Sequence, residues 1–459
     1  MTNALSTLVG PIIRNGSSWN LCVVGADDCV YGIPYYDAGH NAGQVIRFNP
    51  LDNSLTEIGP ILDNGVPRIE SGWSCGVLAG NDCIYCIPFA SNSRGVLKID
   101  TINGTVTLLD VELLRAGRWF CCSWDSGALA IDGCIYFMPG NNALRILKLN
   151  PENDTVSSVG QCVRTEGDVG VKYGRTVVGA DNCLYGIPNQ STRILRFDPV
   201  NQTVTSMWPK GKVKYLVECV FRGCGVLGRD GHIYALDKGN MNWKMVGGIL
   251  SIRVLKIDIS NNDWSIVGNM PIYSDHDHVY SNCILGSDGC IYWPPGRGTH
   301  FLKFDPKTKH LSFVGGDIGH ATTSASNAPE WTSGALAPDG AIYCMPDSAS
   351  QVLCIDPFKE FTTNLNDNME QHPEELGFLF RKNSTIVGET MYESSIRKFG
   401  EKASNAIEKA LEDCIQDNEL FEKMNFHPFM IAASLENSEL SVVYYLLRGD
   451  PSMFNVYVV

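Results

Sequence analysis

The sequence predicts an all-β protein, a seven-bladed β-propeller of four-stranded antiparallel blades, followed by a small α-helical C-terminal region. Three observations support this prediction. One unit of about 50 residues recurs along the chain, and it contains four short apolar stretches separated by turn residues. The unit is too short to hold a helix as well, which excludes a parallel α/β fold. After about residue 370, Glu, Lys, Ala and Leu rise at helical spacing.

The repeat is marked by one tyrosine in each unit, at spacings of 54, 51, 49, 49, 58 and 51 residues. Each tyrosine follows a turn pair such as Asp132-Gly133, which favours a hairpin. Seven units of this kind are typical of a propeller. These anchor tyrosines are Tyr31, Tyr85, Tyr136, Tyr185, Tyr234, Tyr292 and Tyr343.

The four strands of a unit differ in pattern. The first is small and apolar, as in Ser74–Ala79, and the second resembles Cys134–Met138. The third alternates Lys or Arg with apolar residues, and the fourth resembles Thr105–Leu109 or Thr203–Met207. Third strands are predicted at Val96–Asp100, Ile146–Asn150, Ile194–Asp198, Val254–Asp258, Phe301–Asp305 and Val352–Asp356.

The N-terminal residues are predicted to form an outermost strand in addition to the strands of the first blade. The run Thr7-Leu-Val-Gly-Pro-Ile-Ile-Arg-Asn-Gly16 is similar in sequence to Thr56-Glu-Ile-Gly-Pro-Ile-Leu-Asp-Asn-Gly65, which includes a fourth strand. We expect residues 5–10 to pair with the last blade and to close the ring, although Phe361–Leu365 could fill the same place. The propeller is therefore predicted over residues 1–368 and the helical region over residues 369–459.

The C-terminal region is predicted to contain a long amphipathic helix over residues 389–416, or two helices joined near Gly400. Residues 425–450 resemble one ankyrin-type helix pair, with a plain helical hairpin as the alternative. The matching positions are Pro428, Ala432 and Ala433 in the first helix and Val442, Val443, Leu446 and Leu447 in the second. A single unit of this kind needs a neighbour against which to bury its apolar face.

The repeats also resemble known propellers. The run Ala-x-Asp-Gly-x-Ile-Tyr-x-x-Pro, followed by Arg-Val-Leu-x-Phe-Asp, is similar to kelch-like, NHL-like and lyase- or lactonase-type repeats. It most closely resembles a group with Gly-x-Leu-Ala-x-Asp-Gly-x-Ile-Tyr-Gly-Ile-Pro repeats that is frequent in diatoms and other protists. The resemblance covers about residues 5–365. It lacks the paired glycines of true kelch repeats and the Trp-Asp ending of WD repeats. It implies the fold and carries over no function.

Composition limits the partners. The net charge of −14 and the pI of about 5.1 argue against nucleic acid or an anionic membrane as the main partner. No apolar run approaches the roughly 18 residues of a membrane span, and the N-terminus does not resemble a signal peptide. The 17 cysteines, an odd number, indicate reduced thiols. We expect a cytoplasmic, monomeric protein with protein partners.

Aromatic residues recur twelve positions before the anchor tyrosines, and we expect them to surround the channel mouth at the start of the innermost strands. Six of the seven positions are aromatic, and the seven residues are Trp19, Trp73, Trp124, Tyr173, Arg222, Tyr280 and Trp331. Repetition in nearly every blade favours packing between blades. The alternative is a surface that binds a peptide or a sugar, because aromatic rings are rigid contact surfaces.

The connecting loops differ between blades and should set specificity. Arg115, Arg118 and Arg164 are expected to place positive charge on the loop face. Residues 237–251 form an insertion in which Met241, Trp243 and Met245 are candidates for contact with a partner.

A divalent metal site is the main chemical alternative. In an extended loop, His276 and His278 would point the same way and could share one ion, with His320 as a third ligand. A solvated polar loop is the simpler interpretation, because two histidines without a fixed third ligand make an incomplete site. No other cofactor is expected.

Three sequence motifs are better explained by the repeat than by chemistry. The glycine pattern of Gly223–Gly228 matches a dinucleotide fingerprint, and that of Gly72–Gly76 matches a nucleophile elbow, but both lie where strands are predicted. Cys83 and Cys86 are three apart on a strand, so their thiols should face opposite sides. No catalytic residue is assigned.

The sequence favours a non-enzymatic scaffold that binds partners through the propeller loops and the helical tail. A metal-dependent hydrolase or lyase at the channel mouth is the alternative. Carbohydrate binding through the aromatic ring is a weaker one.

Overall fold

The structure is a computed structural model, and its described residues lie between positions 6 and 357. These are residues 6–13, 18–36, 43–62, 71–88, 95–111, 124–140, 143, 145–161, 173–188, 193–207, 221–237, 250–272, 280, 282–296, 300–315 and 330–357. The chain divides into two compact units, of which the propeller comprises Ala4–Ala337 and Ala341–Pro357. The predicted helices of the tail, including the ankyrin-like pair, lie outside the described residues.

Seven antiparallel blades of four strands form the propeller, and every described element is a strand. The innermost strands are β2 (Ser18–Val24), β6 (Ser71–Leu78), β10 (Trp124–Leu129), β14 (Tyr173–Val178), β18 (Phe221–Leu227), β22 (Ile284–Leu285) and β26 (Ala335–Leu336). The second strands are β3 (Val30–Tyr36), β7 (Cys83–Pro88), β11 (Ile135–Pro139), β15 (Leu184–Pro188), β19 (Ile233–Asp237), β23 (Ile291–Trp293) and β27 (Ile342–Cys344). The all-β propeller prediction is confirmed for the described residues.

The third and fourth strands complete each blade. The third strands are β4 (Val45–Asn49), β8 (Val96–Asp100), β12 (Ile146–Asn150), β16 (Ile194–Asp198), β20 (Leu250–Asp258), β24 (Phe301–Asp305) and β28 (Val352–Ile355). The fourth strands are β5 (Ser54–Ile58), β9 (Thr105–Leu109), β13 (Thr155–Val159), β17 (Thr203–Met207), β21 (Asp263–Ile272), β25 (His310–Val314) and β1 (Ser6–Val9). A short antiparallel pairing also joins the end of β3 in blade 1 to the start of β6 in blade 2, with Tyr35 opposite Gly72.

The N-terminal strand completes the last blade. β1 pairs antiparallel with β28, with Ser6 opposite Ile355 and Val9 opposite Val352. It occupies the outermost position of that sheet, where the other blades have their own fourth strand. Gln351 donates a side-chain hydrogen bond to the Gly10 carbonyl at 2.9 Å, just beyond the end of β1.

Blade 5 departs from the predicted strand lengths. β20 begins at Leu250, four residues before the predicted start at Val254, and pairs along β21 until Leu250 lies opposite Ile272. A register shift between Val254 and Leu255 allows the pairing to continue into the insertion. Part of the stretch interpreted as a loop is therefore strand.

Turn geometry explains the Asp, Asn and Gly residues between strands. Three residues before each anchor tyrosine, the backbone is left-handed, with φ from +59° to +82°. Only Asp, Asn or Gly occurs there, since these residues tolerate that conformation best. They are Asp28, Asp82, Gly133, Asn182, Gly231, Gly289 and Gly340.

The hydrophobic core is divided into seven clusters, and each lies between two neighbouring blades. One cluster joins Tyr31 of blade 1 to Ile84 of blade 2, and another joins Tyr343 of blade 7 to Phe48 of blade 1. The second strands are buried on both faces, which explains why their apolar runs are continuous. The ring is thus closed by side-chain packing as well as by β1.

Candidate functional site

The strand order creates two different faces. Connections between first and second strands, and between third and fourth strands, leave from one face, which we call the turn face. Connections after the second and fourth strands leave from the opposite face, which we call the loop face. Binding residues on rigid scaffolds concentrate in variable loops, so the loop face and the adjoining channel mouth are the candidate site.

The predicted ring of aromatic residues lies at the start of the innermost strands. Trp19, Trp73, Tyr173, Tyr280 and Trp331 are at most 5% exposed, and Trp124 is partly buried. Arg222 lies in β18, and its side chain is outside the described residues.

The polar atoms of these rings are used within their own blades. The Trp19 indole N–H donates to the Gln44 carbonyl at 2.8 Å, and that of Trp331 donates to the Gln351 carbonyl at 3.0 Å. Three further aromatic side chains donate to a backbone carbonyl of their own blade in the same way. Trp73 donates to Gly95, Trp124 to Arg145 and Tyr280 to His300. Each acceptor immediately precedes a third strand, so the ring ties the first strand to the third. Burial and these bonds favour the packing alternative over a binding surface.

Adjacent innermost strands are joined by a second repeated contact. The first partner lies ten positions before the anchor tyrosine of its blade. The second partner belongs to the next blade and lies nine positions before the anchor tyrosine of that blade. The Ser126 and Thr176 hydroxyls lie 2.8 Å apart, and the Gly127 N–H donates to the Cys75 thiol at 3.1 Å. The Cys22 N–H donates to the Ser333 hydroxyl at 3.2 Å and closes the ring between blades 1 and 7. We call these contacts inner-strand pairs.

A different contact spans blade 5. Gly225 has no side chain to pair with Arg175, and the Arg175 guanidinium donates instead to the Asn282 side-chain carbonyl of blade 6, at 3.4 Å. Asn282 donates in turn to the Thr332 carbonyl, and the Thr332 hydroxyl donates to the Asn20 carbonyl. This chain of hydrogen bonds links blades 4, 6, 7 and 1 around the channel.

Charged residues on the turn face form a third repeat, in which an Asp accepts from both the anchor tyrosine and a Lys or Arg of the third strand. In blade 1, Asp27 accepts from the Tyr31 hydroxyl at 3.0 Å and from the Arg47 guanidinium at 2.6 Å. Similar trios contain Asp132, Tyr136 and Lys148; Asp181, Tyr185 and Arg196; and Asp230, Tyr234 and Lys256. We call each set a charged trio.

Two blades vary this arrangement. Blade 2 has Asn81 where the others have Asp, and Asp154 of blade 3 supplies the carboxylate to Tyr85 at 2.6 Å and to Lys98 at 2.7 Å. In blade 7 the residue opposite Tyr343 is Cys354, so no Lys or Arg occupies that position.

In the charged trio of blade 3, the contacts hold each group in its ordinary protonation state at neutral pH. Burial, reinforced by the bond to Asp132, raises the pKa of Tyr136 to about 12. Burial acts to raise the pKa of Asp132, but hydrogen bonds from Tyr136, the Cys134 N–H and Lys148 bring it below the usual value. The hydrogen bond with Tyr136 is the largest effect that raises the pKa of Lys148. Groups held in these states stabilise the fold and are poorly suited to proton transfer.

Two carboxylates that the sequence analysis missed are buried at the loop-face end of blades 7 and 1. Glu330 is 4% exposed and Asp347 is 8% exposed. The Ser18 hydroxyl donates to the Asp347 carboxylate, and the Asp347 N–H donates to the Glu330 carbonyl at 2.8 Å. The only available signal was that Glu330 immediately precedes Trp331, at the start of a blade.

The remaining predicted site residues lie outside the described part of the chain. Arg115, Arg118, Arg164 and Trp243 lie outside the described residues, as do His276, His278 and His320. Within the part of the chain that the structure describes, no group of three or more His, Cys, Asp or Glu side chains could hold a metal ion. The same described part contains no helix long and apolar enough to cross a membrane.

The three motifs that match cofactor-binding, catalytic or metal-binding patterns in the sequence belong to the strands of the propeller. Gly223–Gly228 begins in β18 and is followed by a turn and β19, and Gly72–Gly76 lies within β6. Cys83 and Cys86 are buried in different clusters, on opposite sides of β7. Burial raises the pKa of both thiols, and no disulfide joins any of the described cysteines.

Comparison by sequence finds no protein family and no curated protein that matches the chain. Comparison by structure finds solved structures with a similar fold. The chain is similar to virginiamycin B lyase from Staphylococcus aureus, with a TM-score of 0.54 and 12% identity, over 76% of this chain and 98% of the lyase.

Two further structures are similar. Hydrazine synthase from Kuenenia stuttgartiensis has a TM-score of 0.52 and 13% identity, over 78% of this chain and 98% of that one. The extracellular domain of a one-component system from B. thetaiotaomicron has a TM-score of 0.51 and 10% identity, over 76% of this chain and 39% of that one. At such identities the likeness shows the fold alone, and these proteins have unlike functions.

Proposed function

We propose that this propeller is a non-enzymatic interaction scaffold that binds a protein or peptide partner through its loop face. The helical tail, residues 369–459, would supply a second binding region. The observation that carries the proposal is the contrast in connection length between the two faces. Turn-face connections are all four or five residues long. Loop-face connections vary from five residues, at positions 189–193, to twenty residues, at positions 315–334.

Side-chain chemistry supports the same conclusion. The anchor tyrosines, their acidic partners and most of the aromatic ring are held by bonds within and between blades. These groups build a rigid framework, and rigid frameworks lower the entropy cost of presenting a binding loop. Arg115, Arg118, Arg164 and Trp243 all belong to loop-face connections, and Arg and Trp are enriched among residues that dominate binding energy.

The test is capture of partners with the full chain, followed by binding measurements with the purified partner. We expect the Trp243→Ala variant and the Arg115→Ala/Arg118→Ala double variant each to weaken binding about tenfold, or about 1.4 kcal/mol. A matched control is Val200→Ser on the turn face, where Val200 is 73% exposed. A chain ending at residue 368 tests the tail. Equal binding by every variant would contradict the proposal.

The same preparations test the alternative of a metal-dependent hydrolase or lyase. That enzyme would hold one divalent ion through His276, His278 and His320, and His276→Ala would lose it. Stoichiometric metal in the wild type, lost in that variant and accompanied by no partner, would replace the scaffold proposal. We also propose a monomer in a reducing, cytoplasmic compartment, to be checked by light scattering and cell fractionation.

A further inference from the structure

One inner-strand pair differs from all the others in the described part of the chain, because both of its members are cysteines. Cys224 of blade 5 and Cys283 of blade 6 pack in the same buried cluster, close enough for their thiols to interact. Both are buried, at 3% and 5% exposed. They occupy the positions that Ser126 and Thr176 occupy in blades 3 and 4, where the two oxygen atoms lie 2.8 Å apart.

We propose that Cys224 and Cys283 form a reversible disulfide that links blade 5 to blade 6, with a peroxide as the oxidant. The proposal is independent of the proposed scaffold function. The bond would link two innermost strands, β18 and β22, that belong to different sheets.

The local backbone gives Cys224 freedom to move toward its partner. In β18 the pairing with β19 jumps from Phe221 directly to Gly225, so Cys224 lies in a stretch without ladder pairing. In blades 1 to 4 the corresponding jump skips a single residue, as between Tyr173 and Arg175. A disulfide needs its two sulfur atoms closer together than those of two thiols in van der Waals contact, and this irregular stretch can supply the shift.

Two neighbouring groups act against the effect of burial on these thiols. Arg175 lies close enough to Cys283 for its positive charge to lower the pKa of that thiol, and the Trp293 indole N–H donates to the Cys224 sulfur at 3.2 Å. Burial is the stronger influence and raises the pKa of Cys283 well above the usual value. Thiolate is the reacting species, so oxidation is expected to be slow at neutral pH and faster at higher pH.

The chemistry balances with one peroxide per disulfide. A thiolate attacks one oxygen of hydrogen peroxide, the O–O bond breaks, and the sulfur becomes a sulfenic acid while hydroxide leaves. The second thiol then attacks that sulfur, the S–S bond forms, and water leaves. Two thiols are oxidised by two electrons in total, and the peroxide is reduced to two waters. A thiol reductant reverses the reaction.

The test treats the reduced full chain with hydrogen peroxide, blocks remaining thiols by alkylation, and maps peptides without reduction. We expect a cross-linked Cys224–Cys283 peptide that disappears after treatment with dithiothreitol. The linked chain should also unfold at a temperature higher by about 3–6 °C, because the bond restricts the unfolded state.

The matched variant is Cys224→Ser/Cys283→Thr, which copies the Ser126–Thr176 pair and should therefore fold. It should form no cross-link, and peroxide should not raise its unfolding temperature. As a control, Cys75→Ser alters an inner-strand pair with a single thiol, and the Cys224–Cys283 cross-link should persist in it. The proposal is overturned if both cysteines remain alkylatable after peroxide, if either forms a disulfide with another cysteine instead, or if the sulfurs overoxidise without linking.

Discussion

The turn face and the loop face are built from the same strands but follow different rules. On the turn face, every blade repeats a left-handed residue before its anchor tyrosine, and five blades repeat an Asp bonded to their own anchor tyrosine. On the loop face, connection lengths and charges differ from blade to blade. A constraint that recurs in every blade points to the fold, whereas variation on a fixed framework leaves room for binding.

The largest expected effect comes from the buried aromatic ring. Trp331→Ala should lower the free energy of unfolding by about 3–5 kcal/mol, because it removes a fully buried indole and its bond to the Gln351 carbonyl. Urea denaturation measures the loss. Trp331→Phe keeps much of the volume and should cost less. If Trp331→Ala left the stability unchanged but weakened partner binding, the aromatic ring would belong to the binding surface. The distinction between a structural repeat and a binding loop face would then be wrong.

The next effect concerns the charged trio of blade 1. Asp27→Asn should destabilise the protein by about 1.5–3 kcal/mol, since Arg47 and Tyr31 would lose a partly buried, charged acceptor. Glu152→Gln removes the same charge at an exposed position of the turn face and should be nearly neutral. If both substitutions had equal effects, the trio would be a surface ion pair of little structural weight.

The pH dependence sharpens this distinction. The folded-state pKa of Asp132 is lowered, so its contribution to stability is present at neutral pH and is lost as the pH falls below about 4. The stability difference between the wild type and Asp132→Asn should therefore shrink between pH 7 and about pH 3. Urea titrations at both pH values check this expectation, and a constant difference would contradict it.

A smaller effect should follow from backbone conformation in the turns. Gly133→Ala should cost about 1 kcal/mol, because its φ of +75° disfavours a side chain although nothing lies within 4 Å of the added carbon. Gly80→Ala is matched, since its surroundings are equally open and its φ is not positive. Gly80→Ala should be neutral or slightly stabilising. Thermal unfolding distinguishes the two variants.

The smallest effect is expected for exposed apolar residues of the turn face. Val200→Ser should change the free energy of unfolding by less than about 0.5 kcal/mol, since Val200 is 73% exposed. It should also leave partner binding unchanged in the assay proposed above. Weakened binding would show that the turn face contributes to the interaction.

The strands were predictable because each obeys a local rule. The third strands at 96–100, 146–150, 194–198 and 301–305 begin and end at the predicted residues. Their sequences alternate a Lys or Arg with apolar residues, and a turn follows each of them. Blade 5 was less predictable. Its longer third strand depends on pairing between Leu250 and Ile272, and a local pattern contains no information about that contact.

The site was harder to predict because its contacts join strands that are distant in sequence, within one blade or between neighbouring blades. The aromatic residues twelve positions before the anchor tyrosines were found from spacing alone, but their bonds to carbonyls such as Gln44 depend on strands 25 residues away. The inner-strand pairs require the register between neighbouring blades, as in Ser126 and Thr176, which lie 50 residues apart in sequence. No spacing within one repeat reveals which residue of the next blade will be its partner.

The pairing of Ser6 with Ile355 also sets an order of events during synthesis. Six blades contain all four of their strands in consecutive sequence, so each can assemble soon after it leaves the ribosome. The last blade cannot be completed until residue 355 has been made, whereas its outer strand emerges before the strands of the other six blades. That segment must stay unpaired throughout translation, and bringing it back spans nearly the whole propeller, a contact of a kind that slows folding. A fusion partner attached close to Ser6 would therefore act mainly on the rate of this last step.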